Sequence, residues 1–298
     1  MAIPKRLLKQ TGRFARVDGI PYQLPVNSDK AAVIMAGFPA NYEIARSLLP
    51  GNEVHPVRLL NGKAVFLVTV VDYRITDIGK YIEYSIALAC THGTKPAPKL
   101  IPALFMKFYG TGQYILDLPV STEISVKGGK GIWGMPKHQA SLDFIEGPEK
   151  ISAQYDLDGE MVMRLDVNRP HRIILPMNMG AANYCQFRGM LMKSYIYFKG
   201  KAGITLNNKN AANIVLGNHP KAKILKALQI ENQPFFTAYL PKTIGVLDDY
   251  FESWFLSYPQ LPANRPEGLE SVINLGYGEE WLPNPNRAYD KQPQVAGA

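Results

Sequence analysis

The chain has 298 residues, 46% of them hydrophobic and 19% charged, a balance that excludes a disordered or fibrous polypeptide and fits a globular protein. Lys and Arg outnumber Asp and Glu by 33 to 25, for a net charge of +8 and a pI near 9.3; the basic residues are spread along the chain instead of forming one nucleic-acid-binding stripe. No stretch approaches the ~20 apolar residues of a membrane span, and the two cysteines, Cys90 and Cys185, lack metal-ligand spacing, so two buried thiols in a reducing cytoplasm are expected.

In chain order, residues 1–30 form a basic arm with no acid before Asp18, too poor in serine for a transit peptide. Residues 41–49 read as a short helix that puts Ile44, Leu48 and Leu49 on one face and stops at Pro50. The continuous apolar run from Ala64 to Val71 suits a strand buried on both faces. In the strand from Tyr81 to Cys90, alternation puts Ile82, Tyr84, Ile86, Leu88 and Cys90 on one side. Tyr81, Glu83, Ser85, Ala87 and Ala89 share the other.

Ile151 to Val167 reads as a hairpin around an Asp158-Gly159 turn, and Ser194 to Phe198 as a short aromatic strand. A helix over residues 219–228 is expected, capped by Asn218, with Pro220 in its first turn and Ile224, Leu225 and Leu228 toward the core. Lys221, Lys223 and Lys226 would form its solvated face. Residues 248–256 open with two acids, as a helix does. Residues 258–298 form a Pro-rich extension. The class is α+β, predominantly antiparallel β with peripheral helices, in a single domain over residues 1–298.

Familiar catalytic motifs are missing: there is no phosphate-binding loop, dinucleotide fingerprint, HExxH or GxSxG. The five histidines, at 55, 92, 138, 171 and 219, are scattered, so no metal site is expected. Tyr195 and Tyr197 between Lys193, Lys199 and Lys201 mimic an aromatic-basic nucleic-acid surface, but strand alternation accounts for them equally. The segment that stands out is Gly128-Gly129-Lys130-Gly131-Ile132-Trp133-Gly134-Met135-Pro136-Lys137-His138. Its glycines and proline would fix Lys137 at a rigid turn beside apolar surface. Withholding water from an amine disfavours its charged form, and a neutral lysine can form a Schiff base with a ketone. The same residues also make a glycine-rich hairpin with an exposed lysine, which residue chemistry alone favours.

Gly129 to Lys137 is similar to the Gly-Arg-Glu-apolar-x-Gly-x-Pro-Lys pattern of the acetoacetate decarboxylase family, and Tyr81-Ile82-Glu83 resembles its upstream Tyr-x-Glu. Pro21-Tyr22, the helix ending at Pro50, and Leu216-Gly217-Asn218-His219-Pro220 extend the likeness over roughly residues 20–255. The resemblance implies a cone-shaped β-barrel, homo-oligomers, Lys137 as Schiff-base nucleophile, and Glu83 in substrate positioning or proton transfer. It moves Glu83 from solvent, where its alternation alone would put it, to a cavity. Tyr81, Lys130, Trp133 and His138 are the associated substrate-binding candidates. Three departures stand out: His138 replaces a second lysine, Lys130-Gly131 replaces Arg-Glu, and only Lys30 lies near the place of a family arginine.

The resemblance implies a lyase that decarboxylates a β-keto acid with no cofactor, metal, nucleic acid or membrane partner. An aldolase-dehydratase or cyclase acting on oxo-acids, or a non-catalytic barrel holding a ketone, lipid or pigment, are the alternatives.

Overall fold

The computed structural model describes residues 3–9, 12–187 and 189–259. A 3-10 turn at Leu7–Lys9 precedes the hairpin of β1 (Arg13–Val17) and β2 (Ile20–Leu24), then β3 (Val26–Ala40), α1 (Tyr42–Leu48), β4 (Val54–Pro56), β5 (Ala64–Thr76) and β6 (Tyr81–His92). The short α2 (Ile101–Leu104), β7 (Gly112–Val120), α3 (Glu123–Trp133) and β8 (Lys137–Gln139) follow. Next come β9 (Ser141–Leu142), β10 (Ile145–Glu146), β11 (Lys150–Leu157) and β12 (Glu160–Asn168). The remainder comprises β13 (Leu175–Phe187), β14 (Met190–Leu206), β15 (Ala212–Leu216), α4 (Pro220–Ala227) and β16 (Phe236–Phe255).

Seven strands close a barrel in the order β6–β5–β3–β16–β14–β13–β7, with β7 pairing back onto β6. Only β13 and β7 run parallel within this ring; its other pairings are antiparallel. This is the expected β-dominated barrel with helices at its periphery. The short β8 adds to β7 in parallel, pairing Lys137 with Leu118. A second sheet, β10–β11–β12–β15 with β9 on β11, covers one side.

That cover explains the apolar run in β5. Phe66, Val68 and Val70 pack outward with Ile34, Phe38, Tyr84, Ile86 and Leu88 against Ile151, Tyr155, Met163 and Leu165 of the second sheet. The opposite parity, with Val33, Val71, Tyr73 and Tyr81, packs inside the barrel. Strands buried on both faces lose the apolar-polar alternation of a half-buried strand. The hairpin of β11 and β12 turns through Asp158 and Gly159, both at positive φ (52° and 81°), as a primed two-residue turn demands.

Several expectations are corrected. Residues 248–256 are not a helix but mostly the far half of β16, where Phe251 to Phe255 pair with Ser194 to Met190; the two acids that resembled a helix start instead bind Arg6 and Arg13 of the N-terminal arm. The arm itself contains a hairpin, β1–β2. The aromatic strand at Ser194–Phe198 is part of the much longer β14.

α4 is capped by His219, whose Nδ1 accepts from the Lys221 N–H, instead of by Asn218. Its Ala222 and Leu225 face inward, as does Leu228, while Ile224 is exposed. Lys221 leaves the solvated face to reach Asp117 at 2.7 Å. α1 follows its expected span, with Asn41 Oδ1 accepting from the Ile44 N–H. The Pro-rich extension lies outside the described residues from 260 onward. Among the described residues, no helix is long and apolar enough to cross a membrane.

Candidate active site

The glycine-rich segment is not a hairpin: Gly128 to Trp133 form the second half of α3, and Lys137 and His138 lie on β8. Only Gly134 has a positive φ (65°), where it ends the helix, and its N–H bonds back to the Gly129 and Lys130 carbonyls. Glycines inside a helix cost stability, and here three of them permit close contact. A Cβ on Gly128 would sit 2.8 Å from the Tyr22 ring, and one on Gly131 2.5 Å from Val17 of the arm hairpin. One on Gly129 would strike the Lys137 stem at 2.3 Å. After Gly134 the chain reverses through Met135 and Pro136 into β8, which carries Lys137 across the helix.

Lys137 is 5% exposed. Its Nζ lies 2.7 Å from Glu83 Oε2 and donates to Ser125 Oγ at 3.1 Å. The Tyr81 ring centre is 5.6 Å from the same nitrogen, and Tyr73, its cross-strand partner on β5, stacks on it with centroids 4.5 Å apart. Burial, followed by the negative charge of Glu83, holds both phenols well above the usual tyrosine range. Lys137 thus does not stand in apolar surroundings alone; its amine has a carboxylate and a hydroxyl as polar partners.

These groups wall a cavity of about 50 Å3 inside the barrel. Tyr81, Glu83, Trp133 and Lys137, four of the six expected site residues, line it together. The remaining wall is mainly apolar, including Val26, Ile78, Leu118, Met135, Phe198 and Leu247, with Ser28, Asn27 and Asn183 as uncharged polar members. Trp133 is fixed by its Nε1–H, which donates to the Asp248 carbonyl at 3.0 Å. Lys137 and Glu83 are the charged residues of this wall.

Two expected residues lie elsewhere. Lys130 is half-buried on α3 and does not contribute to the cavity wall. His138 follows Lys137 on a strand, so its side chain leaves by the opposite face. There its Nε2 pairs with Tyr155 Oη at 2.9 Å, and its Nδ1 is 3.4 Å from Asp117, which also binds Lys221. Burial, the largest influence, lowers the His138 pKa. Lys30 is exposed and supplies no second cation to the cavity. Sequence reading missed Ser125, Tyr73, Ser28 and Asn183, whose inward placement depends on register and pairing. Among the described residues, no group of three His, Cys, Asp or Glu could hold a metal ion.

A closed, mostly antiparallel barrel with a lysine–glutamate pair buried in a small internal cavity defines the class of protein. Residues 16–188, more than half of the chain, match the family model described as acetoacetate decarboxylase, and the chain belongs to that family. No curated protein sequence is a significant match.

Solved structures share the fold at low identity. One described as acetoacetate decarboxylase has 12% identity and a TM-score of 0.58, over 85% of this chain and 98% of its own. The acetoacetate decarboxylase of Legionella pneumophila has 13% identity and a TM-score of 0.57, over 79% and 91%. The enduracididine biosynthesis enzyme MppR, complexed with pyruvate, has 13% identity and a TM-score of 0.52, over 77% and 90%.

Proposed function

We propose that this protein is a Schiff-base-forming lyase that decarboxylates a small β-keto acid on Lys137. The observation that carries the reading is the 2.7 Å contact between Lys137 Nζ and Glu83 Oε2 inside a small, mainly apolar cavity. Glu83 accepts a proton from the ammonium, and the free amine attacks the ketone carbon. Loss of water gives an iminium, whose positive nitrogen draws the electron pair of the breaking carbon–carboxylate bond. Carbon dioxide leaves, the enamine is protonated, and hydrolysis returns the ketone and Lys137. The iminium is itself the electron sink, so this chemistry requires no cofactor. A cavity of about 50 Å3, where one water needs roughly 10–15 Å3, supports a substrate of few heavy atoms.

A second reading keeps the imine and changes its fate. MppR, with the same fold, has been solved with the condensation product of pyruvate and imidazole 4-carboxaldehyde. This supports an aldolase-dehydratase on oxo-acids as the alternative.

Borohydride reduction after incubation with acetoacetate or pyruvate, followed by peptide mapping, tests both. An adduct on Lys137 is expected, with carbon dioxide released from acetoacetate. An adduct without carbon dioxide release would favour the aldolase reading. No adduct across a panel of keto acids would leave a non-catalytic barrel that binds its ligand without a covalent bond.

A further inference from the structure

We infer that Tyr81, backed by Tyr73 and flanked by Ser125, is the proton donor that quenches the enamine formed on Lys137. This deepens the Schiff-base reading above and rests on it. The three hydroxyl residues are brought together from three elements: Tyr73 on β5, Tyr81 on β6 and Ser125 in the first turn of α3. All three wall the cavity.

Ser125 Oγ is 3.1 Å from Lys137 Nζ, the Tyr81 ring centre is 5.6 Å from the same nitrogen, and Tyr73 stacks on Tyr81 with centroids 4.5 Å apart. Three hydroxyl side chains therefore gather beside the reacting nitrogen, apart from Glu83. Burial and the nearby Glu83 charge keep both phenols protonated at neutral pH, the state that a donor requires.

The proton balance gives this run a task that Glu83 does not fill. An ammonium and a ketone yield a protonated imine and one water; Glu83 relays two protons in turn from nitrogen to the departing oxygen and ends as a carboxylate. That carboxylate is the counter-ion of the iminium. When the carbon–carboxylate bond breaks, its electron pair enters the enamine and carbon dioxide departs. Conversion of a β-keto carboxylate to a ketone consumes one proton per turnover. Tyr81 delivers it to the enamine α-carbon, regenerating the iminium, and is reprotonated from solvent through Tyr73. Water then releases the ketone and restores the ammonium.

Acetone isolates this step, because it forms the imine and enamine without decarboxylation. The test is to follow two readouts with acetone for wild type, Tyr81→Phe and Tyr73→Phe: borohydride trapping on Lys137, and hydrogen–deuterium exchange of the methyl groups in D2O by NMR. Tyr81→Phe is expected to trap acetone within about threefold of wild type while exchange falls at least about 100-fold, the lower range for a lost acid–base group. Unchanged exchange in a variant that still traps acetone overturns the proposal.

If Tyr81→Phe loses both readouts through altered packing, Tyr73→Phe decides. A tenfold or greater loss of exchange with trapping retained supports the relay, and wild-type exchange overturns it. Absence of trapping in the wild-type protein refutes the Schiff-base reading itself, and the relay with it.

Discussion

Gly129 and Lys137 are packed so closely that a Cβ on the glycine would lie 2.3 Å from Lys137 Cδ and 2.7 Å from Cε. The lysine stem crosses the bare backbone of α3 on its way to Glu83. Any side chain at position 129 must displace the helix or the amine.

Gly129→Ala is therefore expected to harm the site more than the fold. Overpacking typically costs about 1–3 kcal/mol, whereas misplacing a reacting group by about 1 Å lowers turnover roughly 100-fold. Thermal melting and borohydride trapping on the same preparation separate the two effects. Wild-type trapping by a folded Gly129→Ala protein would show that the close approach does not position Lys137.

Glu83→Gln keeps the size of the side chain and removes its capacity to take a proton. If Glu83 relays protons for Lys137, kcat should fall by about 10²–10⁴ with little change in KM. A change confined to KM would assign Glu83 to substrate binding alone.

Mild acid should destabilise the fold through its buried histidines. Burial lowers the pKa of His55, His92 and His138 in the folded protein. Below the unfolded histidine pKa of about 6.5, the unfolded chain binds more protons than the native one, so stability falls as pH falls. Melting temperatures measured from pH 7.5 to 5.5 should decline, and less steeply in His138→Gln. A flat profile would contradict the burial of these rings.

Gly134 and Gly159 form a matched pair. Both have positive φ, but a Cβ on Gly134 would meet Phe187 at 2.8 Å, while at Gly159 no described residue beyond its chain neighbours lies within 4 Å. Gly159→Ala should cost roughly 1–2 kcal/mol from backbone strain alone. Gly134→Ala adds an overpacking cost of about 1–3 kcal/mol. Equal losses in denaturant melts would rule out the Phe187 contact as a constraint.

Asp248 is fully buried and binds Arg6 of the N-terminal arm. Arg6→Ala leaves that carboxylate short of its cation, at a cost on the order of 1–3 kcal/mol. Asp248 lies beside cavity-lining Leu247, and its carbonyl holds Trp133, so weaker Lys137 trapping should accompany the stability loss. Arg6→Lys should recover part of both.

Much of this architecture was legible in local patterns. The run Ala64–Val71, the alternation in Tyr81–Cys90 and the Asp158-Gly159 turn encode strands and a hairpin through side-chain sterics that act over a few residues. Two other segments misled. The Asp248-Asp249 pair resembles a helix start until Arg6 and Arg13, more than 200 residues away, claim both acids. The glycines at 128, 129 and 131 resemble a loop because their packing partners, Tyr22, Lys137 and Val17, are not their sequence neighbours.

The sequence by itself determined the β-rich class and the family likeness, and only through that likeness did it point to Lys137 and Glu83. Tertiary structure decided which neighbours reach them. Strand parity carries His138 away from the cavity, while β5–β6 pairing stacks Tyr73 on Tyr81 and α3 brings Ser125 to the amine. Local periodicity fixes which side of an element a residue occupies; only closure of the barrel fixes what that side meets.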